Sequence, residues 1–483
     1  MQPLVILRII GLLLMIFSTT VIPSIIVSWW YHDSEMAAFA NAFLVILLSG
    51  FVIWFPVRNK RHDLRIRDGF IVVVLFWFVF GLVGSLPLYF SNSLHASFTD
   101  ALFESISALT TTGATVFIGL DDLPRSLLYY RQQLQWLGGM GIIVLAVAVL
   151  PMLGIGGMQL YRAETPGPIK DSKLTPRITE TAKALWYIYL GLTVACAWAY
   201  WFAGMTPFDA LGHSFSTVAI GGFSTHDASI GYFNSRLIET IASFFMLIAG
   251  INFALHFSAI RTSSLKPYRF DVEFRVYLAI LAFASMISVF YLYFTETFTT
   301  WADAMHHGIF QTISIGTTAG FTTSDYYNWP GFLPVMLLFL SFVGGCAGST
   351  GGGMKVIRVI LLFKQGVREI FRLIHPSAQI PVKIGGKAMP ENVSNAIWGF
   401  FALYVASFSV MMLFLMASGL DQVTAFSALA ACLNNLGPGL GDVGANYKDI
   451  NYFSKWVLCF AMLLGRLEIF TLLVILTPAF WRR

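Results

Sequence analysis

Long uninterrupted apolar blocks dominate this chain, in place of the alternation of half-buried strands or the three-to-four spacing of amphipathic helices. Ten of them are long enough to cross a bilayer, which takes about 20 residues of helix. They lie near 4–30, 36–57, 69–91, 131–156, 184–204, 236–260, 273–295, 331–363, 395–418 and 452–480. The first is too long for a signal-peptide core and has no convincing small-residue cleavage site, so it is expected to stay as a span. The blocks at 331–363 and 452–480 exceed a straight span and call for a break or a strong tilt.

Between the blocks a second pattern recurs. Gly113, Gly222, Gly320 and Gly437 stand roughly a hundred residues apart, and repetition at a fixed period sets architecture before local detail does. Counting back from each glycine gives D-A-L-F-E-S-I-S-A-L-T-T-T-G, D-A-L-G-H-S-F-S-T-V-A-I-G-G, H-G-I-F-Q-T-I-S-I-G-T-T-A-G and the more divergent T-A-F-S-A-L-A-A-C-L-N-N-L-G. Each copy holds about ten residues of short helix, too few to cross a bilayer. A helix that enters and turns back, followed by irregular backbone, is tolerated at membrane depth only where it lines a water-filled cavity. The expected fold is therefore an all-α polytopic membrane protein. It has about ten transmembrane helices and four pseudo-symmetric helix–pore helix–loop–helix repeats around one pore. The division is 1–68 for an N-terminal two-helix segment, then repeats at 69–165, 166–265, 266–385 (with a broken inner helix) and 386–483.

Glycine at the loop apex lets consecutive carbonyl oxygens face inward, and a ring of carbonyls can replace the hydration shell of a dehydrated cation. The short helices direct their negative ends to the same place. The neighbouring residues are small or neutral: Thr111, Thr112, Ile220, Gly221, Thr318, Ala319, Asn435 and Leu436. No side-chain charge dominates the constriction, which suits potassium. Five residues beyond three of the glycines stand Asp227, Asp325 and Asp442, a candidate outer acidic collar that concentrates cations.

Composition agrees with lipid as the solvent: 57% of residues are hydrophobic, 11% charged, and mean hydropathy is +0.72, against about 25% charged in soluble domains. Charge placement sets orientation. Arg58, Lys60, Arg61, Arg65 and Arg67 follow the second block, and Arg162, Lys170, Lys173, Arg177 and Lys183 the fourth. Arg261, Lys266, Arg269 and Arg275 follow the sixth, and Lys355, Arg358, Lys364, Arg368, Arg372, Lys383 and Lys387 the eighth. With Arg8, Arg482 and Arg483, all but six of the 30 basic residues fall on one side, which places both termini in the cytoplasm. The net charge of +5 follows from this bias and calls for no nucleic acid; the basic loops suit anionic membrane lipid. Cys196, Cys346, Cys432 and Cys459 lack metal-ligand spacing and read as reduced, structural thiols.

The third inner helix reads F-V-G-G-C-A-G-S-T-G-G-G-M-K over residues 342–355. Each glycine inside a helix costs about 1 kcal/mol against alanine, so Gly344, Gly345, Gly348, Gly351, Gly352 and Gly353, with Ser349 and Thr350 among them, should unwind toward the pore as a gate. Only this inner helix carries an evident break. Arg466 sits mid-span, as far beyond Gly437 as Ser349 lies beyond Gly320, so arginine and glycine run should meet below the loops. A charge at the centre of a span costs at least about 2.5–3.5 kcal/mol and is a functional candidate by default. Glu468, two residues on, faces the other way along the helix.

The fourfold outer helix, pore helix, glycine loop and inner helix resembles the Trk/Ktr/HKT superfamily of cation channels over about residues 69–480. The two extra N-terminal spans, the broken third inner helix and the sequence around Gly437 are similar to its bacterial Trk potassium-uptake branch. The resemblance implies a selectivity filter made of the backbone at residues 111–113, 220–222, 318–320 and 435–437. A serine at the first-repeat glycine goes with sodium transport in plant relatives, and Gly113 here favours potassium. In the fourth copy Pro438 stands where Phe223 and Phe321 stand in copies two and three. The resemblance further implies potassium as permeant ion, no organic cofactor on this chain, and a homodimer in the bacterial inner membrane. It also implies a cytosolic nucleotide-binding regulatory subunit resembling TrkA. No nucleotide fingerprint stands on this chain: Gly154, Gly156 and Gly157 end a span rather than follow a soluble strand. His213, His306 and His307 read as capping or packing residues, and no catalytic constellation emerges. The competing class is a secondary carrier coupling potassium or sodium to protons, which would show paired inverted repeats and correspondingly broken helices.

Overall fold

The computed structural model describes residues 2–60, 66–141 and 178–482. Apart from one antiparallel two-residue pair, Lys383–Ile384 with Lys387–Ala388, the described ordered elements are helical. An N-terminal hairpin, Pro3–Tyr31 and Met36–Val57, packs through Leu14, Phe17, Phe39 and Ile46 into a core shared with the first and fourth repeats. Each repeat has an outer helix: Ile66–Gly84 (extended by Leu86–Phe90), Ile178–Phe202, Val272–Phe294 and Glu391–Ala417. Four short re-entrant helices follow them, Phe98–Leu109, Pro207–Ala219, Trp301–Gly316 and Gln422–Leu433.

The sequence starts these short helices in one way. Ser97, Thr206 and Thr300 each accept the backbone N–H of the aspartate three residues on (Asp100, Asp209, Asp303), all at 3.1 Å, and donate to its carboxylate at 2.6–2.7 Å. The arrangement is a capping box with aspartate at the third position. In the fourth copy Asp421 itself accepts from Val423 and Thr424. The third short helix has 16 residues against 12 in the first, one extra turn at its start. The backward count in that copy therefore begins at His307 instead of at its capping aspartate, Asp303.

Among the described residues six helices are long and apolar enough to cross a membrane, or eight if each of two bent pairs is one span. The fourth block begins as Arg125–Trp136 and a π turn, Leu137–Gly141. Beyond it Gly154, Gly156, Gly157, Arg162, Lys170, Lys173 and Arg177 lie outside the described residues, as do Arg61 and Arg65. The eighth block begins as the apolar helix Leu333–Val343 and is interrupted at the glycine run, as expected. It is not the only broken inner helix. The second bends by 91° between Arg236–Ala249 and Phe253–Thr262, and the fourth by 115° between Tyr452–Arg466 and Phe470–Leu476. At the first bend Gly250 ends one helix and the Asn252 side chain caps the next by accepting from Ala254 N at 2.9 Å. At the second, Glu468 and Ile469 take left-handed φ values of 53° and 60°. Neither bend carries a glycine run, so hydropathy reads straight through both.

Candidate functional site

The four short helices end identically. Thr112, Gly221, Ala319 and Leu436 each donate from N–H to the carbonyl five residues back (Ser107, Ser216, Ser314, Ala431), at 2.8 Å in every copy. This is the Schellman closure, which puts the residue before the donor in the left-handed region. Thr111 (φ 56°), Ile220 (55°), Thr318 (70°) and Asn435 (54°) occupy that place. Two residues on, Gly113 (80°), Gly222 (75°), Gly320 (81°) and Gly437 (100°) are left-handed again. Each loop thus carries two left-handed residues flanking one ordinary residue. Thr and Ile resist such φ values, whereas Asn tolerates them, and strain at the β-branched residues persists only where the surroundings hold it.

The loops close on one another in order. A Cβ added at Gly113 would overlap the Gly221 carbonyl oxygen, one at Gly222 that of Ala319, and one at Gly320 that of Leu436. At Gly437 it would stand 2.7 Å from the Thr112 carbonyl oxygen. Copy one thus touches two, two touches three, three touches four, and four returns to one. The lattice behind the ring is polar. Gln135 Nε2 donates to Gly221 O at 2.6 Å while its Oε1 accepts Phe223 N at 3.1 Å. Asn435 Nδ2 donates to Thr112 Oγ1 and to Met462 O, both at 3.0 Å. Tyr447 O–H donates to Gly437 O at 2.7 Å. Arg131 and Glu104 form a fully buried pair at 2.6 Å. Glu104 also accepts from Thr115 and Val116, and the Arg131 guanidinium lies 4.3 Å from the centroid of the Phe223 ring.

Outside the ring an open vestibule of about 280 Å³ is lined by all four loop glycines together with Asp227 and Asp325. Asp442 is exposed nearby but is not part of that lining. Asp227 accepts Leu120 N at 3.0 Å. His226 sits between Asp121 and Asp209 and stacks on Tyr232 at 3.4 Å. Burial alone would lower the His226 imidazole, but hydrogen bonds to Asp209 and Asp121 outweigh it and raise its pKa. Burial alone would raise the Asp209 carboxyl, yet bonds from His226, Thr206 and Thr225 hold it below the usual carboxylate range.

Inside the ring lies the glycine run. Gly352 N donates to Thr318 Oγ1 at 2.6 Å, Gly353 N to Asn434 O at 3.0 Å, and Thr350 Oγ1 to Val218 O at 2.9 Å. Arg466 donates to Thr350 O at 3.3 Å, to Thr111 Oγ1 at 3.0 Å, and to Gly138 and Gly139 O at 2.6 and 2.7 Å. Run and arginine together touch all four copies from below. Gly344, Gly348 and Gly353 have φ values of 67°, 75° and 72°, so the segment is unwound. Gly345 and Gly351 approach each other within it, and Ser349 folds back to donate to Cys346 O at 2.6 Å. The bend in the second inner helix has its partner here: Cys346 N donates to Gly250 O at 2.9 Å and Phe253 N to Gly348 O at 3.0 Å. Glu468 pairs with Arg358.

Every residue expected in the ring and in the run is brought to it, and of the three collar aspartates Asp227 and Asp325 line the vestibule. The sequence reading missed Glu104, Arg131, Gln135, Tyr447 and the histidine contacts. His213 links Asp209 O to Ser224 Oγ, both at 2.9 Å, and His307 meets Thr323 at 3.0 Å. One signal was available: basic residues on the sparsely basic side need acids. Arg131, Arg236 and Lys455 pair with Glu104, Asp303 and Asp100.

A polytopic helical protein whose four re-entrant loops close into one ring has the architecture of a membrane transport protein. The family model described as TrkH, cation transport protein, matches residues 35–482, and the chain belongs to that family. It is 58% identical over 479 residues to the Trk system potassium uptake protein TrkH of Vibrio parahaemolyticus, covering 99% of each chain. Identity to the protein of the same name from Escherichia coli K12 is 55% over 475 residues, 98% of each. The crystal structure of the potassium transporter TrkH from Vibrio parahaemolyticus superposes with a TM-score of 0.91 at 56% identity over the whole of both chains.

Proposed function

We propose that this protein takes up potassium across the bacterial cytoplasmic membrane, with both termini in the cytoplasm. The main-chain oxygens of Thr111, Thr112, Gly113, Ile220, Gly221, Gly222, Thr318, Ala319, Gly320, Asn435, Leu436 and Gly437 act as the selectivity filter. The observation that carries this reading is the cyclic closure of four left-handed glycine loops. The potassium named for relatives at 55–58% identity supports the choice of ion. The run from Gly344 to Gly353 is the gate, and Arg466 is a fixed positive charge that slows cations leaving the filter. Asp227, Asp325 and Asp442 form the outer collar. A homodimer and a cytosolic nucleotide-binding subunit of the TrkA kind complete the system, by resemblance.

The carrier reading gains one observation, the bends in the second and fourth inner helices. The described residues hold no second, inverted ring, and the four loops close on one another in one ring. Proteoliposomes under a potassium gradient decide between the two. Flux saturating at channel rates without a coupling ion supports the proposal; flux that stops when the proton gradient is collapsed refutes it.

A further inference from the structure

Glu273 stands in the first turn of the third outer helix, 8% exposed. One carboxylate oxygen, Oε1, accepts from Ala347 N at 2.7 Å and from Ile357 N at 3.1 Å. Those donors lie on opposite sides of the triple glycine at Gly351, Gly352 and Gly353. The second is also a terminal N–H of the helix Val356–Ile374, and helix termini leave such donors without intrahelical partners. That helix has no capping side chain of its own: Lys355 occupies the cap position at a left-handed φ of 77°, without a side-chain capping bond. The Lys355 ammonium folds back onto Gly351 O. A non-glycine residue in the left-handed region stores strain that the surroundings must hold. Here a carboxyl group from the outer helix of the same repeat supplies the cap and binds the run at the same point.

We infer that Glu273 is a positioning residue for the gate, a cap supplied by a separate helix that ties the middle of the glycine run, at Ala347, to the helix that follows it, at Ile357, and holds the run beneath the ring. The inference rests on the gate reading above. To move the run aside, the bond to Ala347 or that to Ile357 must break, because the two donors share one oxygen. Two hydrogen bonds end on this one buried acceptor, and its loss leaves both donors unpaired, which is expected to raise the protein's own potassium flux roughly tenfold. Glutamine keeps a carbonyl acceptor but offers a different second group, so its effect falls between.

The test uses the full chain in proteoliposomes without any soluble partner. Potassium flux is measured for Glu273→Ala, Glu273→Gln and the unaltered protein, alongside thiol labelling of each carrying Ser349→Cys. The expected order of both flux and labelling rate is Ala above Gln above unaltered, with thermal stability showing that the protein remains folded. A merely structural role would lower flux in proportion to folded protein and would not grade with acceptor strength. Unchanged flux and labelling in Glu273→Ala overturn the inference, as does a fall in flux in stable protein. Arg466→Ala separates the two levels. If it raises flux while Glu273→Ala does not, the clasp alone fails; if neither does, the gate reading fails with it.

Discussion

Replacing Arg466 by alanine removes a charge and a tether together. The guanidinium stands 3.0 Å from Thr111 Oγ1, so a cation leaving the first-copy end of the ring passes close to it. At a separation of about 6 Å and an effective dielectric of about 20, two unit charges repel by about 3 kcal/mol. Felt fully at the exit barrier, that is about a hundredfold in rate; water in the pore screens it, so about ten- to hundredfold is expected. The bonds to Thr350 O, Gly138 O and Gly139 O restrain the run as well, and their loss acts in the same direction. Arg466→Lys separates the contributions, because lysine keeps the charge but cannot span the same carbonyls in a fixed fork. Rubidium uptake into potassium-loaded proteoliposomes should rise most for alanine and less for lysine. Unchanged or reduced uptake by stable, monodisperse Arg466→Ala would refute the barrier role.

Removing one partner of the buried Arg131–Glu104 pair (1% and 0% side-chain exposure) leaves an uncompensated charge. Arg131→Met should cost about 3–5 kcal/mol in thermal or chemical unfolding, and the double change with Glu104→Gln less. Changing Asp227, Asp325 and Asp442 together to Asn should lower conductance at low ionic strength and matter little at high salt, where screening removes the field; equal currents at low salt would rule out the collar. The His226 contact should depend on pH. Its raised folded-state pKa means the stabilisation is fully present below the ordinary value of 6.5 and is lost as pH rises through the raised one. The unfolding temperature should therefore fall over that window, and Asp121→Asn should flatten the fall.

The repeat was legible because it depends on residue types with few substitutes. Glycine at the second left-handed position, a polar residue capping each short helix and uninterrupted apolar spans all leave marks in the letters. The first left-handed position left little: Thr111, Ile220, Thr318 and Asn435 have no side-chain type common to all four, and the Schellman closure that forces their conformation is a backbone event. The bend at Gly250 escaped for a related reason, and that at Glu468 showed only as the excess length of the block 452–480, without its place. They are held by bonds from distant segments, Cys346 and Gly348 at the first and the Glu468–Arg358 pair at the second, rather than by helix-breaking composition. Arg466 was conspicuous because a mid-span charge is costly. Arg131 was not, because it lies at the edge of its block and its partner Glu104 belongs to a helix aligned by its glycine alone. The extra turn of the third short helix hid Asp303, since counting back from Gly320 lands on His307.

The account turns on main-chain oxygens of four loops binding a dehydrated monovalent cation. Its most direct test is the reversal potential of the reconstituted protein between potassium on one side and sodium on the other, for the unaltered chain and for Gly113→Ser. The account predicts a potential set by potassium in the unaltered protein and a shift toward sodium in the variant. A potential near zero in the unaltered protein, or identical potentials for the two, would contradict it.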